Sequence, residues 1–422
     1  MYSQTLSQWS RNVSLCALLV ASASTLRSQD VTGTRLNIGA NHTLSGTLST
    51  IAGGGTNTAS TNFATVSGGK KNAATAPYSF IGGGAFNSVS ESNSVVAGGL
   101  SNANSGKYSV AVGGILHQQS DHYSFIGGGF QNVNEAIYGT IPGGYYNHIR
   151  TNTVETGVLN HGLAIVIGGG AFNTNSGTFG TIAGGAQNRV TNVYSVVSGG
   201  IGNIGGGYAN SIGGGQGNTT AGIASFIGGG EGNSNVADDG AIAGGLSNLI
   251  DANGSGGSIG GGSENQVTAV GGTVPGGFGG KASRYGQLAY GSGYFTSAGD
   301  AQASLYVLRK TTTTSSQAEL FLDGSSQRMT IPSGSSWTFD ILIVGRSSSN
   351  SGGYRIVGLI ENNGGTTSFV GTPTVTTLGE DVGSWDAIAV ADTTNDALTV
   401  KVTGDNTSVR WVATVRTAEV IN

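Results

Sequence analysis

Cysteine, proline and charged side chains are all scarce in this chain. Its 422 residues include one cysteine, five prolines and 9% charged residues. A single cysteine, Cys16, excludes an intrachain disulfide framework and a cysteine-based zinc site. So few prolines, with no glycine at every third position, exclude collagen. A net charge of −4 without any basic run excludes a nucleic-acid partner, because neutralising phosphates takes clustered Lys and Arg. Long apolar runs are missing too: the stretch from Val13 to Val20 is too short to span a membrane as a helix, and no other run approaches that length. What abounds is glycine, 77 residues, in a chain that is still 37% apolar. Disordered chains combine high charge with low hydrophobicity, so the glycine must serve an ordered repeat.

That repeat is visible where "SVVAGGLSNANSGKY", "SVAVGGILHQQSDHY" and "SFIGGGFQNVNEAIY" follow one another over 94–138. Alignment on Gly-Gly places an asparagine three residues after the second glycine, at Asn57, Asn72, Asn87, Asn102, Asn132, Asn147, Asn173, Asn188, Asn203, Asn218, Asn233, Asn248 and Asn265. His117 and Gly280 take that place in two degenerate copies, giving fifteen copies at a step of 15 residues. Eleven extra residues precede Asn173 and two precede Asn265, which predicts loops on one face. Six residues before each asparagine stands Ile or Val, with Ala111 the one weaker choice, and two residues before that stands mostly Ser, the alternation of a short strand. Gly-Gly then supplies a sharp turn, and Asn tolerates the left-handed region while its amide can ladder along a stack.

A coil of this length has room for two short strands around a thin core and cannot be stable alone, so the pattern predicts a β-solenoid in which neighbours stabilise one another. Between the Ser and Ile columns lies a position that is never charged and includes Phe80, Phe125 and Phe226. Facing outward, such a stripe is more apolar than a solvated face, and it predicts contact with further copies of the chain in a closed ring.

"YSVVSGGIGN", "YSFIGGGAFN" and "YSVAVGGILH" resemble the head repeats of YadA-type trimeric autotransporter adhesins, and similar repeats occur in bacteriophage tail-fibre and neck-appendage proteins. The resemblance covers roughly 49–290 and implies a left-handed β-roll in a homotrimeric surface fibre. The step here is one residue longer than is usual in that family.

The ends of the chain differ from its middle. "RNVSLCALLVASAS" puts Arg11 before a short apolar stretch and a small-residue run, which predicts a secretory signal peptide over 1–28. A lead-in at 29–48 precedes the repeat domain at 49–290, whose insertion lies near 148–162, and a linker at 291–302 leads to a second domain at 303–422. There "SWTFDILIV" and "SVRWVATV" alternate apolar and polar residues between turns such as "NNGG" and "TGDN", predicting an antiparallel β-sandwich or jelly roll. Trp337 and Trp411 are in phase with its core, whereas Trp385 in "GEDVGSWDAIAV" is expected in a loop, able to stack on a sugar or anchor a partner.

Motifs for chemistry are missing. No Gly-Lys-Ser/Thr cradle follows a strand, the repeat lacks the aspartates of calcium-binding nonapeptides, and His117, His122, His148 and His161 have no zinc spacing. Asp238-Asp239 beside Glu231 reads as a solvated corner. The sequence therefore predicts a non-enzymatic extracellular fibre without metal or cofactor: an adhesin, secreted or at the cell surface, presenting its C-terminal domain to a surface ligand, glycan before protein. The alternative is a bacteriophage tail fibre or appendage in the virion tail; a polysaccharide-degrading spike ranks third.

Overall fold

A computed structural model of the chain describes residues 35–151 and 163–422. The expected signal peptide with Cys16, the larger part of the insertion and His161 lie outside these residues. Among the described residues the secondary structure is all β, and no helix is long and apolar enough to cross a membrane. Residues up to Phe130 belong to one compact unit and residues from Gln131 to a second. Parallel coils make up the described part of the first unit; the second contains parallel coils followed by antiparallel sheets.

One coil of the first unit shows how the sequence closes on itself. Thr65 and Val66 form a strand that pairs, parallel and in register, with Thr50–Ile51 below and Phe80–Ile81 above. Lys70 makes a one-residue bridge to Gly55 and Ala85. Ala73–Ala74 then pair with Thr58–Ala59 and Ser88–Val89. The two strands expected in each coil are thus joined by a third line of pairing that a single residue carries. In the second unit the same order holds for Val196–Val197, Ile201 and Ile204–Gly205.

The predicted inner column is buried throughout: Ile51, Val66, Ile81, Val96, Ala111 and Ile126 in the first unit and Ile141 through Val274 in the second are at most 1% exposed. Burying one such side chain contributes about 1.5–3 kcal/mol. Fixing the backbone of one coil costs roughly 15–30 kcal/mol, so stability has to come from the pairing and packing between coils. The second strand of each coil contributes the opposite wall of the core. Its inner position is apolar in Ala74, Val89 and Val190 but polar in Asn104, Gln119, Asn134, Asn175 and Asn235, all buried. The Asn104 amide donates to the carbonyls of Val95 (3.2 Å) and Ser109 (3.1 Å), which makes a polar group tolerable there.

The asparagine column forms a ladder that includes direct amide contacts, Asn203 Nδ2 donating to Asn188 Oδ1 at 3.2 Å. Asn188 Nδ2 donates to Gly184 O of its own coil (3.0 Å) and to Gly200 O of the next (2.9 Å). Its Oδ1 accepts the backbone N–H of Asn203 at 3.0 Å, as Asn173 Oδ1 accepts that of Asn188. Every polar atom of the buried amide is therefore used. The left-handed backbone falls one residue earlier, at Phe86 (φ 59°) or Gln187 (φ 58°), so that expectation for Asn is corrected: its side chain is needed inside, and its neighbour turns the chain. The ladder crosses both insertions. Asn173 N–H reaches Asn147 Oδ1 at 3.1 Å, and Asn265 N–H reaches Asn248 Oδ1 at 3.0 Å. In the degenerate copies His117 N–H donates to Asn102 Oδ1 and Gly280 N–H to Asn265 Oδ1.

Coiling starts earlier than the repeat alignment indicates. Arg35–Asn37 pair with Ser49–Ile51, and His42 stands in the asparagine column, its Nδ1 accepting the Asn57 N–H at 3.0 Å. The lead-in therefore contains a coil of its own, hidden because His42 replaces the marker residue.

The C-terminal module is the expected antiparallel sandwich. Its strands are β1 (Leu288–Ser292), β2 (Ala301–Thr312), β3 (Ala318–Leu320), β4 (Met329–Thr330), β5 (Ser335–Arg346), β6 (Ser351–Asn362), β7 (Thr367–Phe369), β8 (Thr374–Glu380), β9 (Asp386–Asp392), β10 (Ala397–Thr403) and β11 (Val409–Ile421). One sheet runs β1-β2-β11-β5-β6, with β7 and β8 both on β6; in the other, β10 pairs with β3, β4 and β9. Trp337, Phe339, Ile341 and Ile343 from β5 and Val409, Trp411, Ala413 and Val415 from β11 fill the core against Leu398, Val400 and Val402 of β10. Strand β1 belongs to both architectures. Leu288 pairs parallel with Thr273 of the last coils and antiparallel with Leu305 of β2, so the two architectures share a strand, and residues 293–300 lead from it to β2 without a strand of their own.

Candidate functional site

The residues singled out by the repeat have different fates. The thirteen asparagines are interior ladder residues, buried to 1% exposure or less. Phe80 and Phe226 are 37% and 44% exposed, and Phe125 is half-buried, all on the outer face of the first strand of their coils. Trp385 is not an exposed loop aromatic. It is 3% exposed, with its ring centroid 5.3 Å from that of Trp411, because the chain turns inward just before β9. The Gly and Ser residues that make "GEDVGSW" look like an open loop let the indole enter the core, so Trp385 is corrected from ligand candidate to core residue.

A second aromatic column went unread. Phe63, Tyr78, Tyr108 and Tyr123 in the first unit, and Tyr138, Phe179 and Tyr194 in the second, occupy the left-handed corner before the first strand, with φ between 55° and 60°. All are between 41% and 56% exposed. Their rings stack coil on coil: Phe63 on Tyr78 at 4.8 Å, Tyr108 on Tyr123 at 5.2 Å, and Phe179 on Tyr194 at 5.2 Å. Stacking offsets the strain of a left-handed aromatic residue. The recurrent Tyr before Ser was the available signal.

The richest polar geometry lies in the second unit, where the last coils meet the sandwich. Two cavities there share Thr268, Ser283 and Arg284 as walls. The larger, about 590 Å³, is also lined by Asn253, Tyr285, Asp323, Gln327, Arg328 and Asn395. Arg328 forms a two-pronged pair with Glu319 (2.8 and 3.1 Å), lies 4.0 Å from Asp392 and stacks over Phe321. The Asp323 carboxylate holds the turn after β3 by accepting from the Ser325 and Ser326 hydroxyls and from the amides of Ser325, Ser326 and Gln327. These donors, the Ser325 hydroxyl foremost, keep it well below the usual carboxylate range. Burial works to raise Asp392, but the Asn395 side chain and nearby amides hold it low. Both carboxylates are thus held ionised by donors of their own turns, and of the two Asp323 lies in the wall of the larger cavity.

The smaller cavity, about 310 Å³, has Lys281, Gln302 and Glu419 in its walls. Glu419 is 6% exposed and accepts from Tyr306 (2.9 Å), Thr417 (2.6 Å) and Gln302 (2.9 Å). Burial first, and Glu419 second, push the Tyr306 phenol far up, so it remains a donor. Gln302 also exchanges hydrogen bonds with the Lys281 backbone, accepting at 2.8 Å and donating at 3.0 Å. The signal for this region was the end of the repeat itself: Gly280 replaces the asparagine, and Lys281 and Arg284 follow at once.

No protein-family model and no curated protein sequence matches the chain. Among solved structures it is similar to a tailspike protein, gp49 of Acinetobacter baumannii bacteriophage Fri1, a capsular polysaccharide depolymerase. The identity is 8% and the TM-score 0.21, over 88% of this chain and 66% of that one, so the chain spans slightly less than two-thirds of its length. It is also similar to the tailspike protein of Acinetobacter phage vB_ApiP_P1, at 10% identity and TM-score 0.23, over 92% of this chain and 80% of that one. Both are tailspikes, and neither is a YadA-type head. The expectation of a non-enzymatic chain is corrected by the first of these, which is described as a capsular polysaccharide depolymerase.

Proposed function

We propose that the chain is a bacteriophage tail protein of the tailspike kind that engages a bacterial surface polysaccharide, and that the cleft where the last coils meet the sandwich takes part in binding. The observation that carries this reading is the cleft of about 590 Å³ in which Arg328, Asp323, Asn253, Asn395 and the Tyr285 ring converge. Sugars are recognised by such mixtures of planar polar groups with an aromatic face. The alternative given by the sequence, a tail protein in the virion, fits better than a secreted adhesin. Assembly as a homotrimer through the uncharged column of Phe80, Phe125 and Phe226 belongs to the same proposal; native mass spectrometry of the full chain should give three copies, and a stable monomer would remove that part.

The test incubates the full chain with purified capsular polysaccharides and reads binding and oligosaccharide release together. Binding to at least one polysaccharide, weakened by R328A, is the expected result, and release of oligosaccharides would add depolymerisation. Absence of binding across the panel would overturn the reading.

A further inference from the structure

We infer that the smaller cavity at the junction, between Lys281 and Arg284, receives the carboxylate of an acidic sugar. This inference rests on the polysaccharide-binding proposal and narrows it to polymers containing uronic or similar sugar acids. Arg284 is 8% exposed, yet no carboxylate lies within 4.0 Å of its guanidinium among the described residues. The group is nevertheless fixed: Nε donates to Thr330 O at 2.7 Å, an Nη donates to Ser283 Oγ at 2.9 Å, and the plane lies over the Trp337 ring at 4.7 Å. A buried cation that forms no ion pair is costly, and an anion arriving from solvent offsets that cost.

The second cation reaches the same wall from the same turn of chain. Lys281 opens the strand Lys281–Ala282, and its stem packs on Gly299, where an added Cβ would come within 2.7 Å of Lys281 Cβ. Like Arg284, it pairs with no carboxylate among the described residues. The one carboxylate of the cavity, Glu419, has three donors of its own and forms no ion pair with either cation. Two cations, the hydroxyls of Thr268 and Ser283 and a volume of about 310 Å³ suit one sugar ring bearing one carboxylate.

The experiment compares binding of the full chain to uronate-containing capsular polysaccharides with binding to the same polymers after reduction of their carboxyl groups. Reduction should weaken binding at least tenfold, and K281Q should weaken binding to the acidic form several-fold while leaving both the melting temperature and binding to the reduced form unchanged. R284K, which keeps the charge but not the planar fork, should also weaken binding to the acidic form more than to the reduced form, with a lower melting temperature because the Thr330 and Trp337 contacts are altered. Equal binding of acidic and reduced polymers would overturn this inference while leaving polysaccharide binding intact. Wild-type-like affinity of K281Q for the acidic form would overturn it too. Absence of binding to either form would overturn both readings.

Discussion

Each repeat writes two glycines in succession, and in the coil of Gly83 and Gly84 only the second is required by its backbone. Gly84 sits at φ 83°, and a Cβ there would lie 2.1 Å from Gly99 O of the next coil, whereas one at Gly83 would meet nothing within 4 Å. G84A should therefore lower stability by about 3 kcal/mol or more, from the left-handed penalty plus the collision with a hydrogen-bonded backbone. G83A should be neutral or raise stability by up to about 1 kcal/mol through the unfolded chain. Urea unfolding of the two variants decides this, and equal effects would refute it. The asparagine makes a second, chemically different demand. N188A leaves the Asn203 N–H without its acceptor and the Gly184 carbonyl without the amide donor, while Gly200 O keeps the Ala186 N–H, a loss of about 2–4 kcal/mol. N188D keeps the acceptor but brings a buried carboxylate against two carbonyls. Its folded-state pKa is raised, so its deficit should exceed that of N188A at pH 7 and shrink as the pH falls through that raised value, because the protonated acid restores one donor. Thermal melts from pH 7 to pH 4 measure the difference; a deficit independent of pH would show that the amide donors are dispensable.

Coils are interchangeable modules only in whole units, because the ladder and the inner column are both locked to the step of the repeat. Removing residues 189–203 joins Asn188 to Ile204 and places the Asn218 N–H opposite Asn188 Oδ1, so the stack should close with small loss of stability. Removing 189–196 sets Val197 directly after Asn188, turns inner residues outward and should abolish cooperative folding. Circular dichroism and limited proteolysis distinguish the two, and similar behaviour would argue against register as the organising constraint. This locking is also why the repeat could be read from sequence: a step of 15 with Ile, Gly-Gly and Asn in fixed columns admits few other folds. What could not be read had no column or broke one. The left-handed residue varies among Thr56, Lys71, Phe86 and Gln187, so only the backbone reveals it. His42 concealed a coil, and the small residues around Trp385 imitated a loop. The junction cavities depend on distant segments, with Arg284 and Glu419 brought to one wall by folding alone.

Repeat and sandwich are commonly separable, but in the second unit they are built into one another. Strand β1 completes the last coils and opens the sandwich sheet, pairing Leu288 with Thr273 on one side and with Leu305 on the other. Arg284 covers Trp337 and caps Thr330 O, Gln287 Nε2 donates to Ser304 Oγ at 2.8 Å, and the Lys281 backbone holds Gln302, which in turn holds Glu419. A fragment of residues 300–422 keeps Gln302 on Glu419 but loses the contacts made by Lys281, Arg284, Gln287 and β1, exposes the edge of β2 and leaves the buried Glu419 network without its outer support. It should be less stable than a fragment of residues 264–422 by about 3–6 kcal/mol, counting roughly 1 kcal/mol for each lost hydrogen bond together with the uncovered Trp337 face. The shorter fragment should also dimerise or aggregate through its open edge, because the stretch of β2 that β1 covers, Ala303 to Leu305, carries no charge to prevent it. Denaturant titration with light scattering tests both points. If the shorter fragment were as stable and as monomeric as the longer one, the sandwich would be an independent tip, and the cavities flanked by Lys281, Arg284 and Glu419 would be by-products of packing instead of a site that exists only where the two architectures are fused.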